Sequence, residues 1–155
     1  MKLAVIQVRG GIHLTHEHRD SLNHLQLRKK NSCVILENTQ SYMGVLVKLK
    51  DYVTWGEIDE QTLKLLIEKR GKLAGNQSLN ENYLKEKTKM GFDQFVKSFI
   101  DNKIKLKDVP GLKTYFRLTP PKGGFEREGI KKQFSLGGAL GYRKDNINNL
   151  LRRMI

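Results

Sequence analysis

The chain has 155 residues, 38% of them hydrophobic, and carries 29 Lys and Arg against 16 Asp and Glu, a formal net charge of +13. That length fits one domain, or one small domain plus an extension, and no apolar run approaches the roughly 20 residues of a membrane-spanning helix. The lone cysteine, Cys33, excludes an internal disulfide and fits a reducing, intracellular compartment, while the six residues LAVIQV before Arg9 are too short for a secretory signal.

Leu3-Ala4-Val5-Ile6-Gln7-Val8 reads as a buried strand stopped by Arg9-Gly10-Gly11. Thr15 is placed to cap a helix running through Leu22, with Leu22 and Leu25 toward the core and Arg28-Lys29-Lys30 at its C-terminal end, where cations complement the dipole. Cys33-Val34-Ile35-Leu36 is a second strand. Thr39 is placed to cap a second helix, in which Tyr42, Leu46, Leu49 and Val53 recur at i, i+4, i+7 and i+11. Thr54–Ile58 is a third strand. The β-α-β-α-β alternation argues for helices packed on one face of a small sheet.

The next stretch is helical. Leu63, Leu66 and Ile67 share a face, and Ser78-Leu79-Asn80-Glu81 fits a capping box. Phe92, Phe95, Val96, Phe99 and Ile100 follow i, i+3, i+4, i+7, i+8, a helix face packed on the core. Leu112, Thr114, Phe116 and Leu118 alternate with Lys113, Tyr115 and Arg117, a strand with one buried row that Pro120-Pro121 ends. Asp145 is placed to cap a last helix with Ile147, Leu150, Leu151 and Met154 inward and Arg152 and Arg153 in its final turn.

The charge lies almost entirely in the second part. Residues 1–60 hold eight Lys/Arg and seven Asp/Glu, a net of +1, whereas residues 61–155 hold 21 and nine, a net of +12. The segment from Lys113 to Lys144 interleaves Lys113, Arg117, Lys122, Arg127, Lys131, Lys132, Arg143 and Lys144 with Gly123, Gly124, Gly129, Gly137, Gly138 and Gly141 and with Tyr115, Phe116, Phe125 and Tyr142. Its only acids are Glu126 and Glu128. Cations supply phosphate contacts, glycines permit close backbone approach, and aromatics stack on bases. A basic loop-like segment of this kind favours nucleic acid, and RNA in particular, over a membrane surface, which calls for a basic amphipathic helix. Deleting Pro121–Gly141 is expected to weaken RNA binding while leaving the N-terminal core folded. Lys85, Lys87 and Lys89 read as a solvated helix face.

Other chemistries find little support in the spacing. His13, His16, His18, His24 and Cys33 lack the separations of a metal site; His16 and His18, two apart on a helix, diverge. Gly137-Gly138-Ala139-Leu140-Gly141 lacks the GK[ST] ending of a phosphate loop. Cys33 opens an apolar strand and reads as a buried structural thiol. No GxSxG motif or carboxylate pair stands out, and nothing in these residues asks for catalysis, a cofactor or a small-molecule substrate.

Residues 1–60 resemble the large-subunit ribosomal protein family numbered thirty in bacteria and archaea and seven in eukaryotes. The matching pieces are LAVIQVRGGI, Arg19-Asp20-Ser21-Leu22 with Leu25, Leu27, Arg28 and Asn31, then Glu37-Asn38-Thr39, and Gly44 within TQSYMGVLVKLKDYV. Residues 61–155 resemble the extension of its archaeal and eukaryotic members, through FRLTPPKGGF at 116–125, GGALGYR at 137–143 and the ending INNLLRRM. The chain starts at the first strand without a basic N-terminal arm, which is similar to archaeal members; Gln133-Phe134-Ser135-Leu136 departs from the pattern in lacking an acid before the glycine pair.

The resemblance implies a ferredoxin-like α+β core with a three-stranded antiparallel sheet and helices on one side, followed by a helical, glycine-rich basic extension. It further implies a cytoplasmic structural component of the ribosome, bound to large-subunit ribosomal RNA near the 5S RNA and beside other ribosomal proteins. An assembly factor or RNA chaperone of the same fold is the alternative. The expected RNA-contacting residues are Arg19, Arg28, Lys29, Lys30, Lys113, Arg117, Lys122, Arg127, Lys131, Lys132, Arg143, Lys144, Arg152 and Arg153.

Overall fold

The computed structural model of the protein describes residues 2–12 and 14–155. Among them, six α-helices and a five-stranded sheet form a mixed α+β fold. The strands are β1 (Lys2–Gln7), β2 (Ser32–Glu37), β3 (Val53–Glu57), β4 (Tyr115–Arg117) and β5 (Gly141–Tyr142); the helices are α1 (His16–His24), α2 (Gln40–Lys48), α3 (Glu60–Arg70), α4 (Glu81–Thr88), α5 (Phe92–Ile100) and α6 (Asn146–Met154). No helix among the described residues is long and apolar enough to cross a membrane.

The sheet runs β4-β2-β1-β3-β5. Its centre is the expected antiparallel trio, with Val5 facing both Val34 and Trp55 across the ladders. The expectation of a three-stranded sheet is corrected at both edges. β4 joins β2 antiparallel, with Arg117 opposite Ser32, and β5 joins β3 parallel, with Gly141 opposite Thr54. The extension therefore completes the sheet rather than trailing from it.

It also covers the second face. On one face Leu3, Val5, Val34, Val53 and Trp55 pack against Leu22 of α1, Leu46 of α2 and Leu25, Leu27 and Leu49 beyond those helices. On the other, Ala4, Ile6, Cys33 and Phe116 pack against Leu63, Leu66 and Ile67 of α3, Phe95, Val96 and Phe99 of α5, and Ile147, Leu150, Leu151 and Met154 of α6. A strand buried on both sides is apolar without alternation, which is why LAVI and CVIL read as continuous runs. Helices on one side only is thus a second correction.

Local details differ too. Thr39 caps α2 by accepting from the Tyr42 N–H at 3.4 Å, but the Thr15 hydroxyl bonds His18 Nδ1 instead of the helix backbone. α2 ends at Lys48, so Val53 belongs to β3. Asn80, not Ser78, is the N-cap of α4; the Ser78 hydroxyl accepts from Lys72 Nζ at 2.8 Å. Asp145 occupies the N-cap position of α6 without a side-chain cap bond.

Candidate nucleic-acid interface

One end of the sheet gathers the loops. β1 and β4 end there, and β2 and β3 begin there. The Asn31 N–H donates to Gln7 O at 2.8 Å and the Leu118 N–H to Asn31 O at 2.9 Å, so the turn carrying Arg28, Lys29 and Lys30 lies between the end of β1 and the exit of β4. α1 ends at His24, so these three cations occupy the loop before β2 rather than the last helical turn. Arg117, opposite Ser32 at the start of β2, joins them. All four are exposed, and none has a carboxylate partner among the described residues. Two cationic segments, Arg28-Lys29-Lys30 and Arg117, far apart in sequence thus become neighbours.

The glycine-rich arm folds onto the same end. Val8 is fully buried beneath Ala139 and Leu140, with Phe125 and Ile130 packed alongside. The arm is held by its own backbone: the Gly138 N–H donates to Gln133 O at 2.9 Å, the Ala139 N–H to Gly129 O at 3.0 Å and the Leu140 N–H to Lys132 O at 3.1 Å. A Cβ on Gly138 would lie 2.2 Å from Lys132 O, so close approach here serves the arm's own fold. Gly123 and Gly124, by contrast, turn with φ near +78° and +77° in open space.

Arg143 is the largest departure from the sequence-based expectation. It is 2% exposed and turns inward. Its Nε donates to Thr54 Oγ1 at 2.8 Å, Nη1 and Nη2 donate to the two Glu126 carboxylate oxygens at 2.6 and 3.0 Å, and Nη2 also donates to Ala139 O at 2.9 Å. The guanidinium carbon lies 4.6 Å from the Phe134 ring centroid. Every direction is occupied by protein, so Arg143 is corrected from an RNA contact to the clasp of the arm. Burial pushes the Glu126 carboxyl up, but the bonds and charge of Arg143, with Arg153 nearby, outweigh it and hold it below its ordinary value.

The remaining expected cations divide by tethering. Lys122, Arg127 and Lys131 on the arm, Arg19 on α1 and Lys144 before α6 are exposed and free of ion pairs among the described residues. Lys132 pairs with Glu128 at 2.5 Å. Arg152 bridges α6 to the start of α3, at 3.0 Å from Asp59 and 3.1 Å from Thr62 Oγ1. Arg153 donates to Gly124 O at 3.0 Å, and the Lys122 N–H returns a bond to Arg153 O at 2.9 Å. Lys113 lies apart from the arm, with Nζ donating to Asn76 Oδ1 at 3.1 Å.

One cluster escaped the sequence reading. Arg9 sits 5.2 Å over the Tyr52 ring and donates to Asp51 O at 3.1 Å, while the His18 ring lies tilted beside Tyr52, 5.6 Å between centroids. Only the Arg9-Gly10-Gly11 stop after β1 hinted at it; the meeting with Tyr52 is tertiary. Cys33 is buried, which pushes its thiol pKa up, away from nucleophilic use. His13 lies outside the described residues, and among those described no group of three or more His, Cys, Asp or Glu side chains is placed to hold a metal ion.

Residues 3–53 match the family model described as Ribosomal protein L30p/L7e. The chain is 46% identical over 155 residues to the large ribosomal subunit protein uL30 of Methanococcus maripaludis, covering all of both chains. It is 44% identical over 149 residues to that of Methanopyrus kandleri, covering 96% of this chain and all of the relative, and 43% identical over 152 residues to that of Nanoarchaeum equitans, covering 98% and 97%. Full-length similarity at this level, reaching through the arm and α6, shows that the chain belongs to the ribosomal protein L30p/L7e family, in its archaeal form.

Proposed function

We propose that this protein is a structural constituent of the large ribosomal subunit, in the cytoplasm, that grips ribosomal RNA with the loop-bearing end of its sheet. The observation that carries the reading is the convergence there of Arg28, Lys29, Lys30 and Arg117 with the arm that bears Lys122, Arg127 and Lys131. Free cations on a preordered surface offset phosphate charge and release counterions. Phosphate positioning and shape fit dominate over base readout, as for folded RNA generally.

In this reading residues 1–60 are the ferredoxin-like core, and residues 61–155 both complete that core and supply most of the charge. Arg19 and Lys144 extend the positive field; the tethered Lys113, Lys132, Arg152 and Arg153 shape it. Family membership supports a position near the 5S RNA among neighbouring ribosomal proteins, with no catalytic role. The test is equilibrium binding of the full chain to large-subunit ribosomal RNA across a salt series. Each phosphate contact adds about −0.9 to the log–log slope on duplex-like RNA, by analogy with DNA. Joint replacement of Arg28, Lys29, Lys30 and Arg117 by Ala should flatten the slope accordingly, while Lys97→Ala on α5 should leave it unchanged. A salt-independent affinity, or equal slopes for all three proteins, contradicts the proposal.

A further inference from the structure

The opposite end of the sheet carries a second feature, and its reading rests on the ribosomal assignment above. A cavity of about 330 Å³ opens where β1 begins and β2 ends, between the C-terminal end of α1, the first turn of α2 and the segment around Leu106. That volume is at the small end of ligand sites. On its wall Lys2 is 4% exposed, its Nζ 3.3 Å from Glu37 Oε1 and 4.5 Å from the Phe99 ring centroid. Glu37 is its one side-chain hydrogen-bond partner among the described residues, although an ammonium has three donors. A buried charge with so little company is costly unless another anion joins it. Exposed Lys105 and Lys107 line the same cavity, so three lysines face one carboxylate. Tyr42, 39% exposed, presents an aromatic ring to it.

We propose that this cavity receives a single unstacked nucleotide of RNA, its base against Tyr42 and its phosphate among Lys2, Lys105 and Lys107. Stacking on an exposed aromatic with flanking cations is how single-stranded bases are held. An acidic peptide side chain would meet the lysines but leave the flat Tyr42 ring unused. Six residues of β1 separate this cavity from the arm, about 20 Å at strand rise. The protein is therefore a strut between two RNA segments, one at each end of its sheet.

The test places photoreactive benzoylphenylalanine at Tyr42, or separately at the exposed Leu136 of the arm, in the full chain assembled into large subunits. Both probes should cross-link ribosomal RNA at different positions, the Tyr42 probe at one nucleotide. Joint Lys105→Ala and Lys107→Ala should cut the Tyr42 cross-link about tenfold and spare the Leu136 one. Cross-linking of the Tyr42 probe to protein alone, or to nothing, while the Leu136 probe reaches RNA would overturn the nucleotide site and leave the ribosomal reading standing. Failure of the chain to enter the subunit, or of both probes to reach RNA, would overturn both.

Discussion

Arg143 and Glu126 form a bidentate ion pair, 2.6 and 3.0 Å, in which the arginine side chain is 1% exposed and the carboxylate 23%. The asymmetry predicts unequal consequences. Glu126→Ala strands a buried guanidinium and should cost about 3–5 kcal/mol. Arg143→Met leaves a carboxylate that can still reach water and should cost less. Urea denaturation of the two variants, with limited proteolysis of the arm, checks this; equal or reversed losses would contradict the clasp.

Acid should loosen the same contact. Glu126 is held below its ordinary carboxyl value, so its contribution to stability is complete above the unfolded-state pKa near 4.5 and is lost as pH falls through the lower folded-state value. The stability difference between the wild-type protein and Glu126→Gln should therefore shrink below about pH 4.5. A difference that stays constant down to strongly acid pH would show that the carboxylate charge is irrelevant to the clasp.

Two glycines should resist even alanine. A Cβ on Gly56 would lie 2.0 Å from Lys144 O and 3.0 Å from Ile147 Cβ, where β3 meets the start of α6, and one on Gly138 would lie 2.2 Å from Lys132 O. The nearest atom in each case is a backbone carbonyl oxygen, so relief requires moving the chain, and each substitution should cost about 1–3 kcal/mol or more. Gly10→Ala, with nothing within 4 Å, is the control and should leave the thermal midpoint nearly unchanged.

The arm's contacts also add a stability cost to its removal. Removing Pro121–Gly141 deletes Glu126 and Ala139 O, the acceptors of Arg143, and uncovers Val8. The deletion should thus lower the stability of the whole protein, by about 3–5 kcal/mol through the orphaned arginine alone. A wild-type unfolding midpoint for the deleted chain would show that the arm is an independent appendage. RNA binding is better probed by neutralising Arg117, Lys122, Arg127 and Lys131, whose side chains make no ion pair among the described residues.

Period and propensity made the elements legible. The Phe92–Ile100 stripe, the alternation around Phe116 and the α6 apolar face lie where the sequence put them because each pattern is local. The unbroken runs LAVI and CVIL carried a further message, that both faces of the sheet are covered, yet a β-α-β-α-β core supplies cover for only one. What covers the other, and which strands close the edges, depends on contacts between residues more than 80 apart, such as Arg117 with Ser32 and Gly141 with Thr54. The candidate interface was legible as a composition: a basic, glycine-rich segment. The role of each cation was not, because a free and a clasped arginine look alike in sequence. Glu126, one of only two acids in that segment, was the available hint of an internal partner for Arg143.

A structural protein of the large ribosomal subunit stays with that subunit under conditions that strip loosely bound factors. Sedimentation of cell lysate through a high-salt gradient, with the protein quantified across the fractions, measures this. One copy per large subunit is expected, retained as the gradient salt rises to the point where loosely bound factors leave. Recovery at the top of the gradient, or only with precursor particles, would contradict it.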